Sequence, residues 1–248
     1  MATPSLKKIA YHTLQQGKTL AGIAHKELST KLMEFFAPEA AKENFPIDKE
    51  LIKEVRLSMA RLEKIDWQEA EAGIYPKSQL FEAPWFEWAK KYPLVWLDMP
   101  QTWERRKKNK TRDLPRDVNE KDYPNYYLQN FHHQTDGYLS KHSAEIYDLQ
   151  VEILFNGTAD SMRRRILAPL KKGLKEYISK GSKKIKVLDI ATGTGRTLQQ
   201  IQSALPEIEL YGLDLSGSYL KQASKYLSSR NGELVQLTKG NAENMPYS

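Results

Sequence analysis

The 248 residues allow one large domain or two small ones, and 40% hydrophobic with 28% charged residues is an ordinary globular balance. The absence of cysteine excludes disulfides, Cys-ligated zinc and thiol catalysis. A net charge of +7 suits an anionic partner but is common in basic globular proteins. No apolar run reaches the ~18 residues of a membrane span, and the N-terminus lacks a secretory apolar core, so a cytoplasmic protein is expected.

In chain order, Thr3 as cap and Pro4 at the first helical position open a helix with Leu6, Ile9, Ala10 and Leu14 on one face, continued by "STKLMEFF". A second helix starts at Asp48, with Leu51, Ile52, Val55, Met59 and Leu62 on one face. Both stripes are expected to be core packing, with peripheral membrane contact as the alternative. "FEAPWFEWAKKYPLVWLDMPQTW" reads as an irregular packed connector in which Trp85, Trp88, Trp96 and Trp103 are packing anchors. The charge run from Glu104 to Asp117 reads as a solvated loop. No aromatic residue interleaves with it, which weakens a single-strand nucleic-acid reading.

The stretch from Tyr123 to Ser140 is aromatic and polar and fits neither a core helix nor a strand; it is either a substrate-side loop or an ordinary packed one. His132 and His133 are adjacent, so a regular helix cannot aim both at one metal, and no metal site is expected. Helices resume at "SAEIYDLQVEILF", break at "NGTAD", and restart with Asp160 capping "SMRRRILAPLKKGLKEYIS"; Gly181 ends the helical region. Then strand Ile185–Ile190, helix Arg196–Ala204, strand Ile208–Leu213, helix Ser216–Ser229 and strand Leu234–Thr238 predict an α/β unit, a parallel sheet with crossover helices. The expected division is an N-terminal helical and aromatic-rich region, 1–140, and a second part, 141–248, with lead-in helices over 141–180 and a strand–helix core over 181–248.

The turn in "KKIKVLDIATGTGRTLQQ" follows a strand and opens a helix. It lacks the Lys-Ser/Thr pair of a phosphate loop. Against a dinucleotide fingerprint, Leu198 stands where close helix–strand packing wants a small residue, which weakens that fit without excluding it. S-adenosylmethionine is the third candidate. It is cationic and carries no phosphate, so it favours a carboxylate near the turn. Asp189 at the strand end supplies one, and Gly193 and Gly195 let backbone approach the nucleoside. Asp214 ends the second strand, where ribose hydroxyls are normally bound. Gly240, Asn241 and Ala242 follow the third strand beside the expected adenine position, and Asn241 offers both a donor and an acceptor.

"VLDIATGTG", "GLDLSGSYL" and "GNAENMPY", in this order and spacing, resemble the class I S-adenosylmethionine-dependent methyltransferases, in particular the ubiquinone/menaquinone-biosynthesis type, which often has Ala in place of the first motif glycine. The resemblance implies a Rossmann-like sheet. It also implies a cofactor site lined by Asp189, Ala191, Thr192, Gly193, Gly195, Asp214, Leu215, Asn241 and Ala242. It further suggests that Tyr147, in the lead-in helices, closes over the cofactor. Only the first three of the family's seven strands are expected here, so the first strand becomes a sheet edge open to pairing with a partner or another copy. The expected function is methyl transfer to a small or lipophilic acceptor, quinone-like by analogy. The alternatives are a nucleic-acid methyltransferase, or an inactive fragment completed by a partner. If the acceptor must lose a proton, His132, His133 and Tyr138 are the nearest candidate bases.

Overall fold

The computed structural model describes residues 5–41, 48–131, 134–179, 185–228 and 235–247. Thr3, Pro4, His132, His133, Gly181 and Leu234 lie outside the described residues. Helix α1, Leu6–Phe36, is capped by Ser5, whose Oγ accepts from the Lys8 amide at 3.3 Å; the cap is therefore two residues later than expected. After the short α2, Pro38–Ala41, helix α3 spans Lys49–Glu71, and Asp48 caps it as expected by accepting from the Glu50 amide at 3.1 Å.

The faces these two helices bury are not the apolar stripes. In α1 the buried residues are Tyr11, Gln15, Gly22, His25 and Met33, while Leu6 is 85% and Ile9 48% exposed. In α3 burial starts only at Asp66, Trp67 and Ala70; Leu51, Ile52 and Val55 stand exposed. A polar hub sets the orientation instead. Asp66, fully buried, accepts from Tyr11 Oη (2.5 Å), Tyr75 Oη (2.6 Å), Ser161 Oγ (3.0 Å), Arg164 Nη2 (2.6 Å) and Arg165 Nη2 (3.0 Å). Five donor residues around one carboxylate satisfy it fully, and all but Tyr75 come from elements distant in sequence.

The Trp-rich stretch is no irregular connector. It forms helix α4, Trp85–Lys107, with Pro93 and Pro100 inside. Each proline removes one ladder donor, but Glu87 in the first turn and Arg105, Arg106 and Lys107 in the last complement the helix dipole. Of its tryptophans, Trp88 is buried with Val95 against Ile146 and Leu149, whereas Trp85 is 42% exposed. The charge run expected as a loop from Glu104 begins inside the last turn of α4 and is not wholly solvated. Arg105 is buried and donates to Thr135, so it is turned inward from the patch.

Helix α5, Lys141–Leu154, packs on α1 and α4. Asn156 and Gly157 then turn the chain with φ of 50° and 81°. The expected single helix over the following stretch is two: α6, Ala159–Arg164, and α7, Leu167–Ser179. Pro169 explains the break, because its ring cannot accommodate a helical carbonyl four residues back, at Arg165. Asp160 is not the cap of α6; Thr158 holds that position, and Asp160 lies buried in the first turn, bonded to Arg163 at 2.8 Å and to Arg196.

The α/β part follows the expectation closely. Strand β1 is Lys186–Ile190, helix α8 Arg196–Ala204, strand β2 Glu209–Asp214, helix α9 Gly217–Ser228 and strand β3 Val235–Lys239. The sheet order is β1-β2-β3, all parallel, with Asp189 opposite Gly212 and Asp214 opposite Lys239. Among the described residues β1 pairs only with β2. One core joins Leu198, Ile201, Leu210 and Leu227 of this part to Tyr11, Trp67 and Tyr75, so the helical region and the sheet share their packing. No helix among the described residues is long and apolar enough to cross a membrane.

The Asp66 hub carries a stability prediction. Burial raises the carboxyl pKa, but the hydrogen bonds and charge of Arg164 more than reverse this and hold it below the ordinary value. A depressed native pKa means stability that is present above the unfolded value of about 3.9 and is lost as pH falls below it. Asp66→Asn leaves Arg164 buried without its counter-ion and is expected to cost about 3–5 kcal/mol, read from the urea midpoint at neutral pH. In acid, where the wild type protonates, the two proteins should converge.

Candidate active site

The site is built at the carboxyl ends of β1 and β2, where a parallel sheet leaves a crevice. Residues Ala191, Gly193 and Gly195 all have positive φ, of 59°, 56° and 77°. Gly195 is required twice over. A Cβ there would sit 3.1 Å from Ala223 Cβ and 3.2 Å from Leu227 Cδ1, and a side chain would also strain the left-handed backbone. Ala191 adopts the same backbone region with a side chain, a local strain of about 1–2 kcal/mol.

Thr192 Oγ1 donates to Asp189 Oδ2 at 2.8 Å, and Gly193 N donates to Asp214 Oδ2 at 2.8 Å. Ser216 N donates to the other oxygen, Asp214 Oδ1, also at 2.8 Å. Thus Asp189, Thr192, Gly193 and Asp214 are brought together by direct bonds, with Gly195 starting α8 beside them. Each Asp214 oxygen retains a second lone pair for a ligand hydroxyl. Asn241 and Ala242 follow β3 within two residues of Gly240, whose amide donates to the Asp214 carbonyl at 3.0 Å. Asn241 Oδ1 accepts from its own Glu243 amide at 3.0 Å, so its acceptor side is engaged in a turn. Leu215 lies half-buried between Asp214 and Ser216.

Both carboxylates titrate above their usual range. Burial is the main cause for Asp189, opposed by the Thr192 hydroxyl and reinforced by the charge of Asp214. Burial likewise raises Asp214, with the Ser216 and Gly193 amides opposing. No ion pair to either appears among the described residues.

Several residues around this turn had no sequence signal. Thr194 Oγ1 donates to Asp148 Oδ1 at 2.7 Å and ties the turn to α5. Tyr219 lies over Gly193, its Cδ1 4.0 Å from where a Cβ would stand. The 123–140 stretch docks here: Ser216 Oγ donates to the Tyr138 carbonyl at 2.6 Å and Ser218 Oγ to the Leu139 carbonyl at 3.0 Å. Tyr138, Tyr147 and Tyr219 pack edge to face, with centroids 5.3–5.8 Å apart, and Tyr138 stacks on Phe131 at 5.0 Å. The aromatic density of the segment was visible in sequence; its place beside Asp214 was not. Burial raises the Tyr138 phenol above its ordinary value, which favours its protonated form.

Residues 187–248 match the sequence model of a family described as a methyltransferase domain. This C-terminal part is thus similar to methyltransferase domains. The demethylmenaquinone methyltransferase of Thermotoga maritima is 36% identical over 104 residues, which cover 42% of this chain. The matched part spans 39% of that relative. No solved structure matches the chain. The matched segment thus coincides with the part in which the strand–helix core was expected.

The raised carboxylates make a prediction about the ligand-free protein. A native pKa above the ordinary 3.8 disfavours the ionised form, so this contribution to stability is present at lower pH and lost as pH rises through the native value. Asp189→Asn removes the charge and keeps an oxygen for Thr192. It should raise Tm at neutral pH, by roughly 2–4 °C for each kcal/mol relieved, and the gain should shrink toward pH ~4 in a calorimetric scan.

Proposed function

We propose that this chain binds S-adenosylmethionine in the crevice beside β1 and β2 and takes part in methyl transfer to a small or lipophilic acceptor. The observation that carries the reading is the pair of carboxylates, half-buried Asp189 and buried Asp214, unpaired with any cation among the described residues and set against a glycine turn. Such an acceptor set fits a cationic nucleoside ligand and disfavours a phosphate-bearing one. When bound, the cofactor supplies a methyl group on a positively charged sulfur that is a good leaving group.

The residues then divide the work. Asp189 faces the cationic methionine end, directly or through water, and Asp214 takes the ribose hydroxyls in charge-assisted bonds worth about 1.5–3 kcal/mol each. Gly193 and Gly195 let the turn approach, with Ala191 and Thr192 shaping it. Leu215, Asn241 and Ala242 border the adenine position. Tyr138, Tyr147 and Tyr219 form an aromatic wall that excludes water and orients an apolar acceptor, whose in-line placement is the main catalytic requirement. A cytoplasmic location completes the reading.

Titration calorimetry with S-adenosylmethionine tests it. The wild-type chain should bind, and Asp214→Ala should weaken binding by about tenfold or more. A folded wild type that takes up no cofactor, or an Asp214→Ala variant that binds as tightly, would sink the assignment.

A further inference from the structure

Helices α1, α3 and α6 leave between them an open groove of about 410 Å³, away from the strand ends and within the size range of small-molecule sites. Leu20, Met59 and Leu62 give it apolar walls, Arg56 and Glu63 line it from α3, and Gln15 lies at its floor beside Ser161.

The floor sets the chemistry. Gln15 is only 6% exposed, and its Nε2 donates to Tyr11 Oη at 3.2 Å and to Ser161 Oγ at 2.9 Å. Both of those hydroxyls give their own protons to Asp66, so toward Gln15 they can only accept. The amide therefore cannot be turned over. Its Oε1 is left buried with no donor among the described residues. A buried acceptor without a donor is unfavourable, and a ligand bearing an N–H or O–H would relieve it. Along the wall, Glu63 is engaged by His12, whereas the exposed Arg56 guanidinium makes no ion pair among the described residues.

We propose that this groove is a second binding site, for a small amphipathic anion. Its apolar body lies along Leu20, Met59 and Leu62, its anionic head meets Arg56, and a hydrogen-bond donor at its other end reaches Gln15 Oε1. The proposal does not depend on the cofactor reading, since it concerns a different face and a different ligand.

The probes are ω-hydroxydecanoate, decanoate and decylamine, titrated calorimetrically into the full chain without S-adenosylmethionine. The hydroxy acid should bind at one site. Decanoate, lacking the far-end donor, should bind about tenfold more weakly, and the oppositely charged decylamine more weakly still. Arg56→Gln, at an exposed position that leaves the fold intact, should cost the hydroxy acid about tenfold, and Met59→Trp should fill the groove and abolish binding, with circular dichroism confirming that both variants are folded. Equal affinity of decanoate and the hydroxy acid would overturn the role of Gln15, and an unaffected Arg56→Gln the role of Arg56. No binding of any probe at about 1 mM, the outcome if an ordered water alone satisfies Gln15, would overturn the site, as would wild-type affinity in Met59→Trp.

Discussion

Arg196 enters the interior directly after the glycine turn, and the placement of that turn depends on where its charge is met. It is 3% exposed, and Asp160 of α6, equally buried, is its ion-pair partner. The guanidinium also lies over the rings of Trp88, at 5.5 Å, and Tyr226, at 5.1 Å. One side chain thereby links α4, α6, α8 and α9. Removing either partner would leave an uncompensated buried charge, so the pair imposes one docking geometry more than it adds net stability. Six residues of α6 hold both ends of this arrangement: Asp160 faces Arg196, while Ser161 and Arg164 face Asp66. This short helix thus ties the turn at the sheet's end to the N-terminal helices, beside the core they share.

This dependence explains what could and could not be read from the sequence. The α/β part was legible because its signals are local. Apolar strands, a glycine turn and helical periodicity lie within about sixty consecutive residues, and helix Arg196–Ala204 has the expected bounds. The N-terminal helices were legible as helices but not in orientation. Periodicity chose the stripe containing Leu6, Ile9 and Leu14, whereas the structure buries Tyr11, Gln15 and His25. The partners that make this favourable, Asp66 of α3 and Ser161 of α6, lie tens of residues away, and no local pattern announces them. Helix α4 was obscured for another reason: two prolines and four tryptophans read as punctuation and anchors, though the chain absorbs both prolines within one helix.

The candidate site shows the same division. Asp189, Thr192, Gly193, Gly195 and Asp214 sit in short motifs and were nameable in advance. Ser216, Thr194 and Tyr219 belong to the same stretch of chain, yet their roles arise from partners at Tyr138, Asp148 and Ser143. The 123–140 segment could be recognised as neither helix nor strand. Only the fold places its rings beside Asp214, through the bonds of Ser216 and Ser218 to the Tyr138 and Leu139 carbonyls.

Among the described residues, Asp66, Asp160, Asp189 and Asp214 have carboxyls that titrate away from the ordinary value, and the direction sorts them by purpose. Asp66 and Asp160 are held below the ordinary carboxyl range, each against arginines that overcome the cost of burial. Asp189 and Asp214 are pushed above it, because burial is met only by a hydroxyl and by backbone amides. A protein carrying a net +7 has cations to spare, so the lack of an ion pair to Asp189 or Asp214 among the described residues is a property of the site and not of composition. Structural carboxylates are neutralised within the chain, while those left in want of positive charge mark where an external cation lowers the free energy most. That the contrast falls at the parallel strand ends, beside a turn whose glycines admit close approach, is what joins the electrostatics to the cofactor reading.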